Sequence, residues 1–209
     1  MKITVACSAL VAAAVLVLPA TVCADGNALN KGTPAFTAKG ELKPPTDYYS
    51  WVFLTSDLGM SYNEEGGDSA QPPFSNVFVN PIAYQAFLKT GTWPEHTQLI
   101  KEFRASGTQG SINHHGFYQK GKPLSVLVHV KDTSRFKGGW AFFAFSGDSP
   151  QPAKQIPTDA TCYSCHEAHG AVDTTFVQFY PSILPVAIRH STLSKNYLAD
   201  EAQAKKKKK

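Results

Sequence analysis

Cysteine and methionine are scarce in this sequence, which has four cysteines and two methionines in 209 residues. A basic start, an apolar run at residues 3–18 and small residues at 22–24 together form a pattern typical of a cleaved export signal. Cleavage after Ala24 leaves only Cys162 and Cys165, and we expect the exported chain to enter an oxidising compartment. One cysteine pair excludes a disulfide-built scaffold.

Long apolar runs and sustained helical periodicity are also missing. After the signal no stretch is long and apolar enough to span a membrane, and no segment keeps a 3.6-residue apolar period over the length of a bundle helix, so a four-helix bundle is excluded. The 15 glycines and 14 prolines instead divide the chain into short segments. We therefore expect a mainly β (α+β) fold, an antiparallel sheet with a few short helices packed around a cofactor.

The expected elements follow from composition. β-Branched and aromatic residues predict strands at residues 76–79, 97–103, 124–130, 140–145 and 176–180. Asn80 as N-cap, Pro81 at the first helical position and Gly91 as terminator predict one short helix. Residues 56–73 have the composition of a long surface loop.

Four regions are expected along the chain. They are a signal peptide at 1–24, an extended segment at 25–48, the main domain at 49–190, and a polar, lysine-rich, frayed tail at 191–209. The formal net charge of +4 depends on that tail, because the last five residues are all lysine. We expect no nucleic-acid partner.

The sequence Cys162-Tyr163-Ser164-Cys165-His166 is a C-x-x-C-H motif in an exported chain. At this spacing two thiols can bond to one haem while the adjacent histidine reaches the iron. A redox dithiol has no need of His166, and no second cysteine pair exists to complete a zinc cluster. The motif predicts one covalent c-type haem held by Cys162 and Cys165, with His166 as the proximal iron ligand.

A sixth iron ligand is hard to find in the sequence. Electron-carrying c-type cytochromes commonly use a methionine downstream of the motif, whereas Met60 lies about a hundred residues upstream. Other histidines remain possible ligands, namely His96, His114, His115, His129, His169 and His190. An open distal position is the better interpretation, and such a site binds or transforms a small molecule.

Three stretches of sequence resemble the cytochrome P-460 and cytochrome c′-beta family. They are NVFVNPIAYQAFLKTGTWPEHTQLIKEF, VHVKDTSRFKGGWAFFAF and CYSCHEAHGAVDTTFVQFYPSIL, and the resemblance runs from about Leu42 to Leu184. It implies a small periplasmic β-rich haem protein with five-coordinate iron, usually a homodimer. The P-460 branch oxidises hydroxylamine with a haem that a lysine modifies covalently, whereas the c′-beta branch lacks that link and binds nitric oxide or similar gases.

The resemblance assigns the modifying lysine to Lys101. The family strand has the form V-x-V-K-E, and the matching stretch here is Gln98-Leu99-Ile100-Lys101-Glu102. An edge-strand lysine that points to solvent is the alternative that composition alone favours.

The family's carboxylate above the iron is missing from its expected strand. By ungapped count from Val130-Lys131-Asp132, that position is Leu127. His129 lies two residues on, and hence on the same strand face, so it is a candidate base. An apolar Leu127 would instead suit a neutral diatomic ligand.

The sequence therefore supports two main hypotheses. In the first, the protein is an oxidoreductase in which Lys101 and His129 act on hydroxylamine and electrons pass to a soluble cytochrome. In the second, it binds nitric oxide without turnover. Plain electron transfer with a six-coordinate haem is a third alternative. Arg135 is a candidate partner of a haem propionate, because a guanidinium matches a carboxylate in two hydrogen bonds.

Overall fold

The centre of the molecule is a five-stranded antiparallel sheet. The computed structural model describes residues 32–62 and 70–207, and the predicted signal at 1–24 lies outside them. The strands follow one another in chain order across the sheet, each hydrogen-bonded to the next. They are β1 (Val52–Leu58), β2 (Phe74–Val79), β3 (Gln98–Gly107), β4 (Tyr118–Lys131) and β5 (Trp140–Ser146). The prediction of a mainly β antiparallel fold with short helices is confirmed.

Within residues 32–62 and 70–207, four α-helices accompany the sheet: α1 (Pro81–Thr90), α2 (Thr161–His169), α3 (Leu184–His190) and α4 (Lys195–Lys207). In the predicted helix α1, Pro81 occupies the first turn and Gly91 ends it in the left-handed conformation at φ 72°. Asn80 is the N-cap residue, as predicted, but its side chain makes no hydrogen bond to the helix. Its Oδ1 accepts from the Gln98 N–H at 2.8 Å and its Nδ2 donates to the His96 carbonyl, so it ties the helix start to β3.

Two predictions of local structure were wrong. The apolar run at 176–180 forms a short 3-10 helix at Val177–Phe179 instead of a strand. Its buried residues are Phe176, Val177 and Tyr180, which do not alternate as the residues of a half-buried strand would. The polar tail, expected to be frayed, contains α4. Its alanines, glutamate and lysines are strong helix formers, and the Asn196 amide and Asp200 carboxylate bind it to α2 through Glu167 and His169.

The two faces of the sheet are used differently. Strand alternation puts Ile100, Val128 and Phe143 on one face, in a core that also contains Trp51 and Leu42 from the N-terminal segment. The opposite face carries Thr55, Val77, Leu99, Lys101 and Leu127, and the helices cover part of it. Among the described residues, no helix combines the length and apolar character needed to cross a membrane.

Candidate functional site

A cavity of about 370 Å³ lies on the helix-covered face of the sheet, a volume within the range of cofactor and small-molecule sites. Its sheet side includes Lys101, Leu127 and His129, and its other sides include residues of α2 and of the segment around the 3-10 helix. Most of the lining side chains are apolar or aromatic, among them Val77, Leu99, Phe103, Phe142, Ile156, Phe176 and Phe179.

The C-x-x-C-H motif forms most of helix α2. Cys162 and His166 are four residues apart, hence on one helix face, and both line the cavity. Cys162 and Cys165 are free thiols. Burial, together with the nearby Cys162, raises the pKa of Cys165. Within the described part of the chain, no cluster of three or more metal-binding side chains supports the zinc alternative.

The His166 ring is held in one tautomer. Its Nδ1 lies 2.7 Å from the Thr174 carbonyl, so Nδ1 carries the proton and Nε2 keeps its lone pair. Phe176 stacks on the ring with centroids 4.1 Å apart. Burial lowers the pKa of His166, the Thr174 carbonyl opposes this, and the positive charge of Lys101 adds to the lowering. A neutral imidazole whose other nitrogen is hydrogen-bonded to the backbone is the usual form of a metal-binding histidine.

His129 lies against His166. Its ring stacks on Phe142 at 3.9 Å and is 5.2 Å from the His166 ring, centroid to centroid. The pKa of His129 is well below its usual value because the ring is fully buried and because His166 is close. Leu127 lines the cavity on the same strand face, as the sequence predicts. The neighbours of His129 are thus aromatic rings and His166, together with the Thr174 hydroxyl at 3.4 Å.

Lys101 lies in the cavity wall with its side chain 24% exposed, and it does not extend freely into solvent as an edge-strand lysine would. Its Nζ is 3.5 Å from Asp57 Oδ2, and that oxygen also accepts a hydrogen bond from the Ser75 hydroxyl. The structure therefore brings Lys101, Cys162 and His166 to one cavity.

Asp57 was missed by the sequence analysis. Residues 56–73 were assigned to a loop, but β1 continues to Leu58, and strand alternation then puts Asp57 on the same face as Thr55. The sequence did contain a signal for this strand, because the β-branched and apolar residues of Val52-Phe53-Leu54-Thr55 favour a strand. A strand that starts there can continue through Ser56 and Asp57.

Two other sequence candidates have different positions. Arg135 is not among the described residues that line the cavity. Its guanidinium lies 4.1 Å from the Phe36 ring centroid, and its Nε is 3.5 Å from Asp132. Met60, in contrast, lines the same cavity as His166, so its thioether must be considered with the histidines in any test for a sixth ligand.

The residues of this cavity fit a haem. Two thiols and a neutral histidine with a fixed tautomer lie on one short helix, beside a cavity whose aromatic lining suits a flat apolar ring. A family model described as Cytochrome P460 matches residues 45–177. That range contains all five strands, α1, α2 and most of the cavity lining. No curated protein matches the chain.

Proposed function

This chain belongs to the cytochrome P460 family, and from that premise we propose that it is an exported c-type cytochrome that oxidises hydroxylamine and passes the electrons to a soluble cytochrome. The family makes it a haem cytochrome. The observation that carries the finer proposal is that Lys101 lines the cavity that also receives His166 and Cys162.

Helix α2 carries the three residues that attach the cofactor. Cys162 and Cys165 would supply the thiols for two covalent bonds, and His166 would supply Nε2 to the iron, while the Thr174 carbonyl holds Nδ1. When bound, the haem supplies a redox-active iron that accepts electrons from the nitrogen substrate. The chain itself binds the cofactor, orients the imidazole and excludes water with aromatic side chains such as Phe176 and Phe142.

Lys101 is the residue that favours an enzyme over a gas carrier. A lysine that modifies the haem must reach the cofactor, and Lys101 lies within the cavity lining on the central strand of the sheet. Because β3 is hydrogen-bonded on both sides, to β2 and β4, its backbone position is well fixed. Modification of the ring changes the electronic properties of the haem, which is how a protein tunes the reactivity of its cofactor.

A second function is favoured by Leu127. This residue lies directly across from Lys101 in the β3–β4 pair, and by ungapped count it stands where the family resemblance implies a carboxylate. An apolar side chain there suits nitric oxide binding without turnover, since no proton has to be removed from a neutral diatomic ligand. We also propose a homodimer in the periplasm for either function.

The test is hydroxylamine-dependent reduction of an added soluble c-type cytochrome by the purified holoprotein. We expect turnover by the parent, loss of turnover in Lys101→Ala, and unchanged turnover in Lys122→Ala, a control that removes an exposed lysine from β4. A parent that binds nitric oxide but reduces no acceptor with hydroxylamine would refute the enzymatic function and leave the gas-binding one.

A further inference from the structure

Asp57 is a charged group in the cavity that the roles described so far do not use. It extends from β1, its side chain is 18% exposed, and it is the sole carboxylate among the described residues of the lining. A carboxylate among so many apolar side chains is costly unless it is paired. Its observed partners are the Ser75 hydroxyl and the Lys101 ammonium.

Three neighbouring strands supply this group of residues. Asp57 on β1 is directly opposite Ser75 on β2, which explains why the Ser75 hydroxyl can donate to Oδ2. Lys101 on β3 is opposite Val77, one position along the same face. The cross-strand hydrogen bond from Ser75 therefore fixes the Asp57 carboxylate independently of its contact with the Lys101 amine.

The environment of the Lys101 amine depends on Asp57. Lysine has a flexible four-carbon stem, so its amine has no preferred position without a partner. Besides Asp57, the Nζ atom faces the rings of Tyr62 and Phe103, with centroids at 5.5 and 5.3 Å. These rings favour a cation but do not bind it at a single point.

Tyr62 does not compete with Asp57 as an anion. Burial, then the negative charge of Asp57 and the proximity of Cys165, raise the pKa of Tyr62 to about 12, so its hydroxyl stays protonated at neutral pH. His166 and His129 contact each other at the β4–β5 side of the cavity, where Phe142 packs against both. Among the described residues, Asp57 is therefore the anionic partner that determines where the Lys101 Nζ lies.

We propose that Asp57 is the positioning residue of the Lys101 amine, and that it holds Nζ on the β1 side of the cavity for its bond to the haem. Forming this N–C bond would break one N–H bond of the amine and one C–H bond of the ring, with loss of two protons and two electrons, and the oxidant we name is a peroxide, which is reduced to water. This inference rests on the proposed function, in which Lys101 modifies the cofactor. It adds a residue from a strand at the edge of the sheet, far in sequence from the haem attachment motif.

The experiment measures the fraction of haem-bearing molecules in which the Lys101 peptide is also joined to haem, by mass spectrometry after proteolysis. Counting only molecules with haem on Cys162 and Cys165 separates positioning from a general loss of folding. We expect Asp57→Ala and Asp57→Asn to lower this fraction roughly tenfold at a fixed maturation time, as for loss of one partner from an ion-pair network. Asp57→Glu should restore part of it.

The Asn variant separates charge from shape, because its side-chain oxygen can still accept from Ser75 and the fold need not change. Asp47→Asn, at an exposed position, is the matched control and should leave the linked fraction unchanged. If the Lys101 peptide is joined to haem to the same extent in the parent, Asp57→Ala and Asp57→Asn, the positioning role of Asp57 is wrong, while the modified-haem function still stands. A parent without any Lys101 link would overturn the modified-haem function and the role of Asp57 together.

Discussion

The buried Glu102 should be the most sensitive stabilising carboxylate of the sheet. Its side chain is 1% exposed and lies on the face opposite Lys101. Oε2 accepts from the Tyr48 hydroxyl and, at 2.7 Å, from the Tyr49 hydroxyl, while Oε1 accepts from the Asn76 amide at 3.1 Å. Arg104 donates to both oxygens. Glu102→Gln keeps the shape but loses the charge and places an N–H group among these donors.

The expected cost follows from the number of charge-assisted hydrogen bonds that weaken. We expect the free energy of unfolding to fall by about 3 kcal/mol. For a chain of this size that corresponds to a decrease in Tm of roughly 6 to 12 °C. Asp148→Asn makes the same charge change at an exposed turn and should cost little.

The pH dependence gives a second signature. Burial by itself would raise the pKa of Glu102, but hydrogen bonds from Arg104, Tyr48, Tyr49 and Asn76 outweigh it and lower the pKa below its ordinary value of 4.5. The stabilisation is therefore fully present above that value and is lost as the pH falls through the lowered pKa. The difference between the parent and Glu102→Gln should shrink over the same range.

Urea unfolding of the holoprotein, followed by circular dichroism at several pH values, measures both effects. A loss below about 1 kcal/mol, the size expected of a surface ion pair, would refute the argument that these bonds are buried and charge-assisted. A difference in unfolding free energy between the parent and Glu102→Gln that stays the same at acidic pH would refute it as well. Because Glu102 faces away from the cavity, the visible spectrum of the variant should match that of the parent.

Other predictions concern the cavity and a helix end. Leu127→Asp puts a carboxylate directly across from Lys101, and a positioned base should raise hydroxylamine turnover by about 10²-fold; unchanged turnover would argue against proton removal as a slow step. The ferrous protein should bind carbon monoxide, and failure to do so would indicate that Met60 or a histidine is a sixth ligand. Gly91→Ala should lower the free energy of unfolding, measured with urea, by about 2 kcal/mol. The reasons are the φ of 72° and the added Cβ, which would lie 2.7 Å from His190 Cβ. An unfolding free energy equal to that of the parent would contradict this.

Local patterns were enough to predict most of the sheet and helix α1. The strands at 76–79, 97–103, 124–130 and 140–145 were all found, because β-branched and aromatic runs between turn residues leave few alternatives. The ends were less predictable. β4 begins at Tyr118, in a polar stretch where pairing with β3 decides the structure and composition does not. In 176–180, the chain forms a 3-10 turn that buries Phe176, Val177 and Tyr180, although the residue types favour a strand.

The C-x-x-C-H motif could be placed from spacing alone, but its surroundings could not. The contact of His129 with His166 depends on how α2 packs over β4 and β5, which the sequence does not show. Asp57 was missed for a similar reason, since its role depends on a strand register that brings it opposite Ser75 and near Lys101. Arg135 was chosen for its chemistry, whereas the fold pairs it with Asp132.

If Lys101 modifies a haem bound in this cavity, the absorption spectrum of the dithionite-reduced holoprotein must differ from that of Lys101→Ala. We expect a broad Soret band far to the red of ordinary c-type haems in the parent, and an ordinary high-spin c-type spectrum in the variant. An ordinary spectrum in the parent as well would contradict this expectation and make Lys101 a bystander in a gas-binding cytochrome.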